Sequence, residues 1–170
     1  QRLVDRGLVE DVGAVAGLAE HDLRRAAVVG HVSGAQRDRI LGQCARVVGR
    51  ALAGRREGVV LMTKVGLRWD DPRGTFYFKT ADQHGRAREV WRNSKPDSIA
   101  AELEQSLRRL RTGYVDLLQV HWHDPATPLE ETMGALARLV QQGKARAIGV
   151  SNFTPALLKQ AQLALAPLPL

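Results

Sequence analysis

An α/β fold built on a parallel sheet is predicted by three features of the sequence. Short apolar, β-branched runs alternate with stretches of helical periodicity. Each run is too continuously apolar for a sheet with one wet face, and polar side chains gather where the runs end. Strand, helix, strand, helix, strand, helix requires right-handed crossovers, so the sheet is either doubly wound or part of a barrel.

The first legible strand is GVVLMTKVG, residues 58–66, ended by Gly66. In DSIAAELEQSLRRLRTG, Ile99, Leu103, Leu107 and Leu110 fall on one helical face, with Ser94 as the expected cap, Pro96 and Asp97 in the first turn and Gly113 at the stop. YVDLLQVHW is the second strand. Thr127, Pro128 and Glu130 form a capping-box start for a helix with Leu129, Met133, Leu136 and Val140 on one face and Gly143 at its end. ARAIGV, residues 145–150, is the third strand, and Thr154 and Pro155 open the last helix. The stretch 70–95 reads as a loop about twice the usual connection length, which suggests a binding or lid role. Residues 1–45 are harder to read. Leu3, Val4, Leu8, Val12, Val15 and Leu18 could share a helix face and Ala26, Val28 and Val29 a short strand, but glycines and arginines interrupt both.

The bulk properties bound the function. A chain of 170 residues that is 44% hydrophobic can bury one domain core. No apolar run approaches the ~18 residues of a membrane span, and the start has no signal-peptide pattern. The single cysteine, Cys44, suits a reducing compartment, so a cytoplasmic protein with no membrane partner is expected. The net charge of +7 would attract anions. It comes mostly from scattered arginines without interleaved aromatics, so nucleic acid is not expected as a partner. No residue set suggests a metal.

Ligands of parallel α/β folds gather at the carboxyl ends of strands. Those ends carry Thr63 and Lys64, then His121 and Trp122, then Ser151 and Asn152. Lys64, ending an apolar strand, asks for an anion nearby or must lose its proton. His121 can relay a proton or donate a hydrogen bond to a carbonyl oxygen. Singly, each is better read as a snorkelling lysine and a satisfied core histidine. Their joint position on adjacent strand ends shifts that balance.

The segments VVGRALAGRREG, VVLMTKVGLRWD and SLRRLRTGYVDLLQVHWHDPATPLEETMGALARLVQQGKARAIGVSNF resemble the aldo-keto reductase family, above all bacterial members with a long loop after the third strand. The resemblance runs from about residue 46 to 162. It implies a (β/α)₈ TIM barrel, of which this chain would supply roughly strands three to five with their helices, since a whole barrel takes about 250 residues. It divides the chain into a divergent or corrupted segment, 1–45, and a partial barrel domain, 46–170. It also implies reduction of an aldehyde or ketone, a small-molecule carbonyl substrate, by hydride from NADPH, with NADH possible. On this reading Lys64 and His121 are catalytic, Ser151 and Asn152 hold the nicotinamide carboxamide, and Trp122 lines the substrate pocket or simply packs.

Departures accompany the match. Laying GAQRDRILGQCARVVG on the family's DTAxxYGxGxSE segment puts Gly34 at its aspartate and Arg39 at its tyrosine, while Tyr77 and Tyr114 fall outside the motif. His123 stands where relatives usually carry proline, and LALAPLPL precedes any sixth strand. Impaired catalysis is therefore expected. The alternative is a non-catalytic relative acting in binding or assembly, with self-association through unpaired strand edges.

Overall fold

The computed structural model describes residues 26–28, 45–82 and 84–167. The elements are β1 (Ala26–Val28), α1 (45–51), β2 (Val60–Val65), β3 (Leu67–Arg68), β4 (Thr75–Ala81), β5 (Ala87–Arg92), α2 (Pro96–Leu110), β6 (Val115–Val120), α3 (Leu129–Gln141), β7 (Ala145–Val150) and α4 (Pro155–Leu165). β1, β2, β6 and β7 form one parallel sheet in that order. The expected helix over residues 3–18, Val29 and the positions of Gly34 and Arg39 lie outside the described residues.

The two faces of this sheet are covered differently. Leu61, Val65, Leu118, Val120, Ile148 and Val150 pack with Ile99 and Leu103 of α2, Met133 and Leu136 of α3, and Ala161 of α4. Each such side chain, fully removed from water, contributes about 1.5–3 kcal/mol. Val60, Met62, Leu117 and Ala147 form a separate buried cluster that contains no helix residue. A doubly wound sheet carries helices on both faces, whereas a barrel wall carries them only outside. The described helices cover one face, the arrangement of a barrel wall.

The stretch 70–95 is not a plain loop. β4 and β5 form an antiparallel hairpin, with β3 adding a third strand on the far side of β5. Aromatic and β-branched residues in TFYF and VW, separated by a turn through Gly85, are a hairpin signature that the length of the stretch concealed. The hairpin folds back tightly, and a Cβ on Gly74 would overlap the carbonyl oxygen of Arg92.

Helix ends also depart from expectation. Lys95, not Ser94, caps α2, and Arg111, in the left-handed conformation at φ 54°, ends it before Gly113. No capping box opens α3. The Thr127 hydroxyl and the Ser94 N–H instead donate to the carboxylate of Asp124, at 2.8 and 3.2 Å. Gly143 does follow α3 with φ 68°, and the Thr154 hydroxyl accepts from Leu157 N–H at the start of α4, as expected.

Two carboxylates tie the sheet to its surroundings. Asp116, with a side chain only 4% exposed, accepts from Arg56 at 2.7 Å, Arg146 at 3.0 Å and the Leu61 N–H at 2.8 Å. Both guanidiniums lie over the Tyr114 ring, at 4.0 and 4.2 Å from its centre. The cluster fixes the start of the β2–β6 pairing. Glu102 on α2 reaches beneath the end of β2 and accepts from the Gly66 N–H at 3.0 Å. Burial pushes its carboxyl up to about 8, against the lowering pull of that hydrogen bond and of Arg68.

Replacing Asp116 with Ala leaves the Leu61 N–H without its acceptor and removes the shared partner of Arg56 and Arg146, and the expected loss of stability is about 1–3 kcal/mol. Urea unfolding checks this, and a loss within the scatter of surface substitutions would refute the role. For Glu102, the folded chain keeps a proton that the unfolded chain releases between pH 4.5 and about 8, so stability from this group falls as pH rises through that window. The melting temperature of the wild type should therefore decline relative to Glu102→Gln from acid to mildly alkaline pH. Parallel melting profiles for the two proteins would rule it out.

Candidate functional site

Side chains alternate along a strand, so the face that carries Val60 and Met62 also carries Lys64. The same parity continues from Leu117 through Gln119 to His121, and from Ala147 through Gly149 to Ser151. Register completes the placement: Lys64 pairs with Gln119, and Gln119 with Gly149. His121 and Ser151 therefore stand one step above Lys64, on the face not covered by the described helices. The ladder continues past the assigned strands, with His121 N–H donating to Val65 O at 2.9 Å and Ser151 N–H to Val120 O at 2.8 Å.

Four of the five residues singled out from the sequence meet through hydrogen bonds. Lys64 Nζ donates to Ser151 Oγ at 3.1 Å. Asn152 Nδ2 donates to Ser151 Oγ at 3.1 Å and to the carbonyl oxygen of His121 at 2.9 Å. Asn152 holds this position with φ 58°, a left-handed backbone that asparagine tolerates better than most residues. His121 and Ser151 are buried. The anion expected near Lys64 is replaced by a hydroxyl, and among the described residues Lys64 has no ion pair.

The fifth, Trp122, is half-buried beside His121, with ring centres 6.4 Å apart. Its ring also lies 5.4 Å from that of Tyr77, which the hairpin brings to the strand end although the sequence places it in a remote stretch. His123 packs against Phe153. Burial, reinforced by the charge of Arg92 and opposed by Asp124, holds its imidazole below the ordinary histidine value.

Sequence reasoning missed Asp124, which organises this rim. Its buried carboxylate accepts from Thr75 N–H and Oγ, Ser94 N–H, Ala126 N–H and the Thr127 hydroxyl. Burial opposes ionisation, but these donors hold the carboxyl below its usual range. One side chain thereby joins the hairpin, the start of α2 and the turn into α3. The only local signal was an aspartate ahead of Pro125 and Thr127, which reads as an ordinary turn.

The donor set suits a carboxamide. Ser151 Oγ accepts twice, which leaves its hydroxyl hydrogen to donate, and the Asn152 side-chain oxygen remains to accept. An amide offers the complementary pair, a carbonyl oxygen and an NH₂ group. Among the described residues, no three His, Cys, Asp or Glu side chains could hold a metal ion, and no helix is long and apolar enough to cross a membrane.

Comparison with known proteins finds relatives over about two thirds of the chain. The chain is 40% identical over 115 residues to the aldo-keto reductase YhdN of Bacillus subtilis, covering 66% of this chain and 30% of that protein. It is 38% identical over 110 residues to the NADH-specific methylglyoxal reductase of Escherichia coli, covering 62% and 32%. The chain thus spans about a third of the length of these relatives. Among solved structures, the glycerol dehydrogenase AKR11B4 of Gluconobacter oxydans superposes with a TM-score of 0.60 at 40% identity, covering 75% of this chain and 36% of that one. The holo form of the aldo-keto reductase AKR11C1 of Bacillus halodurans gives 0.59 at 30% identity, covering 80% and 39%. The four parallel strands and their helices are accordingly part of a (β/α)₈ barrel. The sequence profile of the Aldo/keto reductase family matches residues 41–169, and the chain belongs to that family.

Proposed function

We propose that this chain carries part of a carbonyl-reducing site, in which Lys64, His121, Ser151 and Asn152 act on an aldehyde or ketone and a nicotinamide cofactor. The observation that supports the reading is the contact set across three neighbouring strand ends: Lys64 to Ser151, and Asn152 to both Ser151 and the His121 backbone. NADPH is the proposed cofactor. NADH is the alternative, as the name of the similar Escherichia coli methylglyoxal reductase illustrates. When bound, the cofactor would supply the hydride.

The chain's own residues have the remaining roles. Ser151 and Asn152 hold the carboxamide and so fix which ring face is presented. His121 donates a hydrogen bond to the substrate oxygen, and the positive charge of Lys64 stabilises negative charge that develops beside it. With Gly34 and Arg39 at the positions that the family motif gives to aspartate and tyrosine, the proton for the alkoxide must come from His121 or water, and turnover is slow. Trp122 and Tyr77 exclude water on the substrate side.

A second reading, a relative that binds without turnover, is favoured by one observation. Lys64 is held by the Ser151 hydroxyl, and among the described residues no carboxylate pairs with it.

Titration of tryptophan fluorescence with NADPH and with NADH separates these possibilities from the absence of a site. Saturable quenching is expected, weakened about 10- to 100-fold in a Ser151→Ala, Asn152→Gly double variant that loses two hydrogen bonds. Glycine at position 152 tolerates the left-handed backbone. Binding together with slow oxidation of NADPH by a small aldehyde supports the reductase, and binding with no oxidation supports the second reading. Unchanged affinity in the variant would refute the assigned roles of Ser151 and Asn152.

A further inference from the structure

The hairpin contributes more to the strand end than an aromatic wall. Pairing between β4 and β5 slips between Phe76 and Phe78, so Tyr77 is the extra residue of a β-bulge. Bulges re-aim side chains and are common beside active sites. Here the bulge turns the Tyr77 ring onto Trp122, next to His121, while its neighbour Phe78 packs edge-on against it at 5.0 Å.

Arg92, at the end of β5, lies against this arrangement. Its guanidinium carbon is 5.4 Å from the Tyr77 ring centre, within cation–π range. Its charge is felt by His123, one residue beyond Trp122. Through Tyr77, whose ring adjoins that of Trp122, the guanidinium is linked to the strand end that carries His121.

What distinguishes Arg92 is its lack of a counter-charge. Arg68, Arg73, Arg86 and Arg88, along the same stretch, pair with Asp70, Asp71 and Asp97, and Asp82. Among the described residues the Arg92 side chain has neither an ion pair nor a hydrogen bond, and its Nε is buried without a partner there. Asp124, the buried carboxylate of the adjoining turn, is already occupied by five neutral donors. A half-buried guanidinium kept without an acceptor is costly, and such a group calls for an explanation. A planar fork of donors matches a carboxylate with two parallel hydrogen bonds.

We propose that Arg92, laid over Tyr77 beside Trp122 and His121, binds a carboxylate on the carbonyl substrate, so that the site prefers aldehydes or ketones bearing an acidic group. This rests on the carbonyl-site reading above. Tyr77 and Trp122 provide the flat surface against which the substrate lies, and Arg92 sets its orientation. It is a specificity residue and takes no part in the proton or hydride step.

Equilibrium dialysis of the whole chain with terephthalaldehydic acid and with its neutral methyl ester tests the proposal. The acid should bind at least about tenfold more tightly than the ester. Arg92→Met should remove that preference and leave ester binding within about twofold of wild type, whereas Arg92→Lys retains part of it. Arg86→Gln, which changes net charge equally on an exposed, paired arginine, should change nothing. Equal binding of acid and ester by the wild type, or an acid preference that survives in Arg92→Met, overturns the proposal while leaving ester binding to support the carbonyl site. Loss of NADPH affinity instead of acid preference in Arg92→Met would assign the guanidinium to a cofactor phosphate and overturn it too. A chain that binds neither acid, ester nor NADPH overturns this proposal together with the reading on which it rests.

Discussion

The parallel register of β2, β6 and β7 governs everything that happens at their carboxyl ends. Because successive side chains point to opposite faces, a slip of one residue in any of the three strands would carry its terminal polar group to the helix-covered side. With Met62 opposite Leu117 and Leu117 opposite Ala147, the apolar residues of one face occupy a common layer. Lys64, His121 and Ser151 must then rise above that layer on the same side. Their hydrogen bonds follow from this alternation and from the strand spacing, which brings neighbouring backbones within reach of a serine hydroxyl.

Two buried aspartates hold the ends of that sheet, and they do so by different means. Asp116 is held by two arginines and a backbone amide, a charge-paired cluster stacked on Tyr114. Asp124 has no ion pair among the described residues and is sustained by five neutral donors from three separate segments. The first arrangement fixes strand pairing. The second fixes the angle at which the hairpin leans over the strand ends, because Thr75 at the start of β4 gives two of the five bonds. This placement brings Tyr77 to Trp122, with Arg92 over the Tyr77 ring.

Helix starts illustrate how tertiary contacts can replace local ones. Ser94 and Thr127 are good capping residues by type and position, yet neither caps its helix through its side chain. The Ser94 N–H and the Thr127 hydroxyl both donate to the Asp124 carboxylate, and each helix is capped one residue later, at Lys95 and Pro128. Thr154 caps α4 through its own side chain, as its sequence suggests.

The sequence by itself determined the parallel strands, their helices and the polar groups at the strand ends, since these depend on periodicities of two and 3.6 residues that are written locally. Ala145–Val150 matches its apolar run residue for residue, and the polar residues read at the strand ends, Lys64, His121, Ser151 and Asn152, do meet there. Only the tertiary structure decided that the described helices cover one face, that Lys64 is held by a hydroxyl, and that a hairpin lays Tyr77 beside Trp122 with Arg92 over it. Those outcomes depend on groups tens of residues apart being brought within a few ångströms, through a bulge and a buried carboxylate that have no period. The chain's local pattern sets which face each strand residue takes, but only packing determines what it meets there.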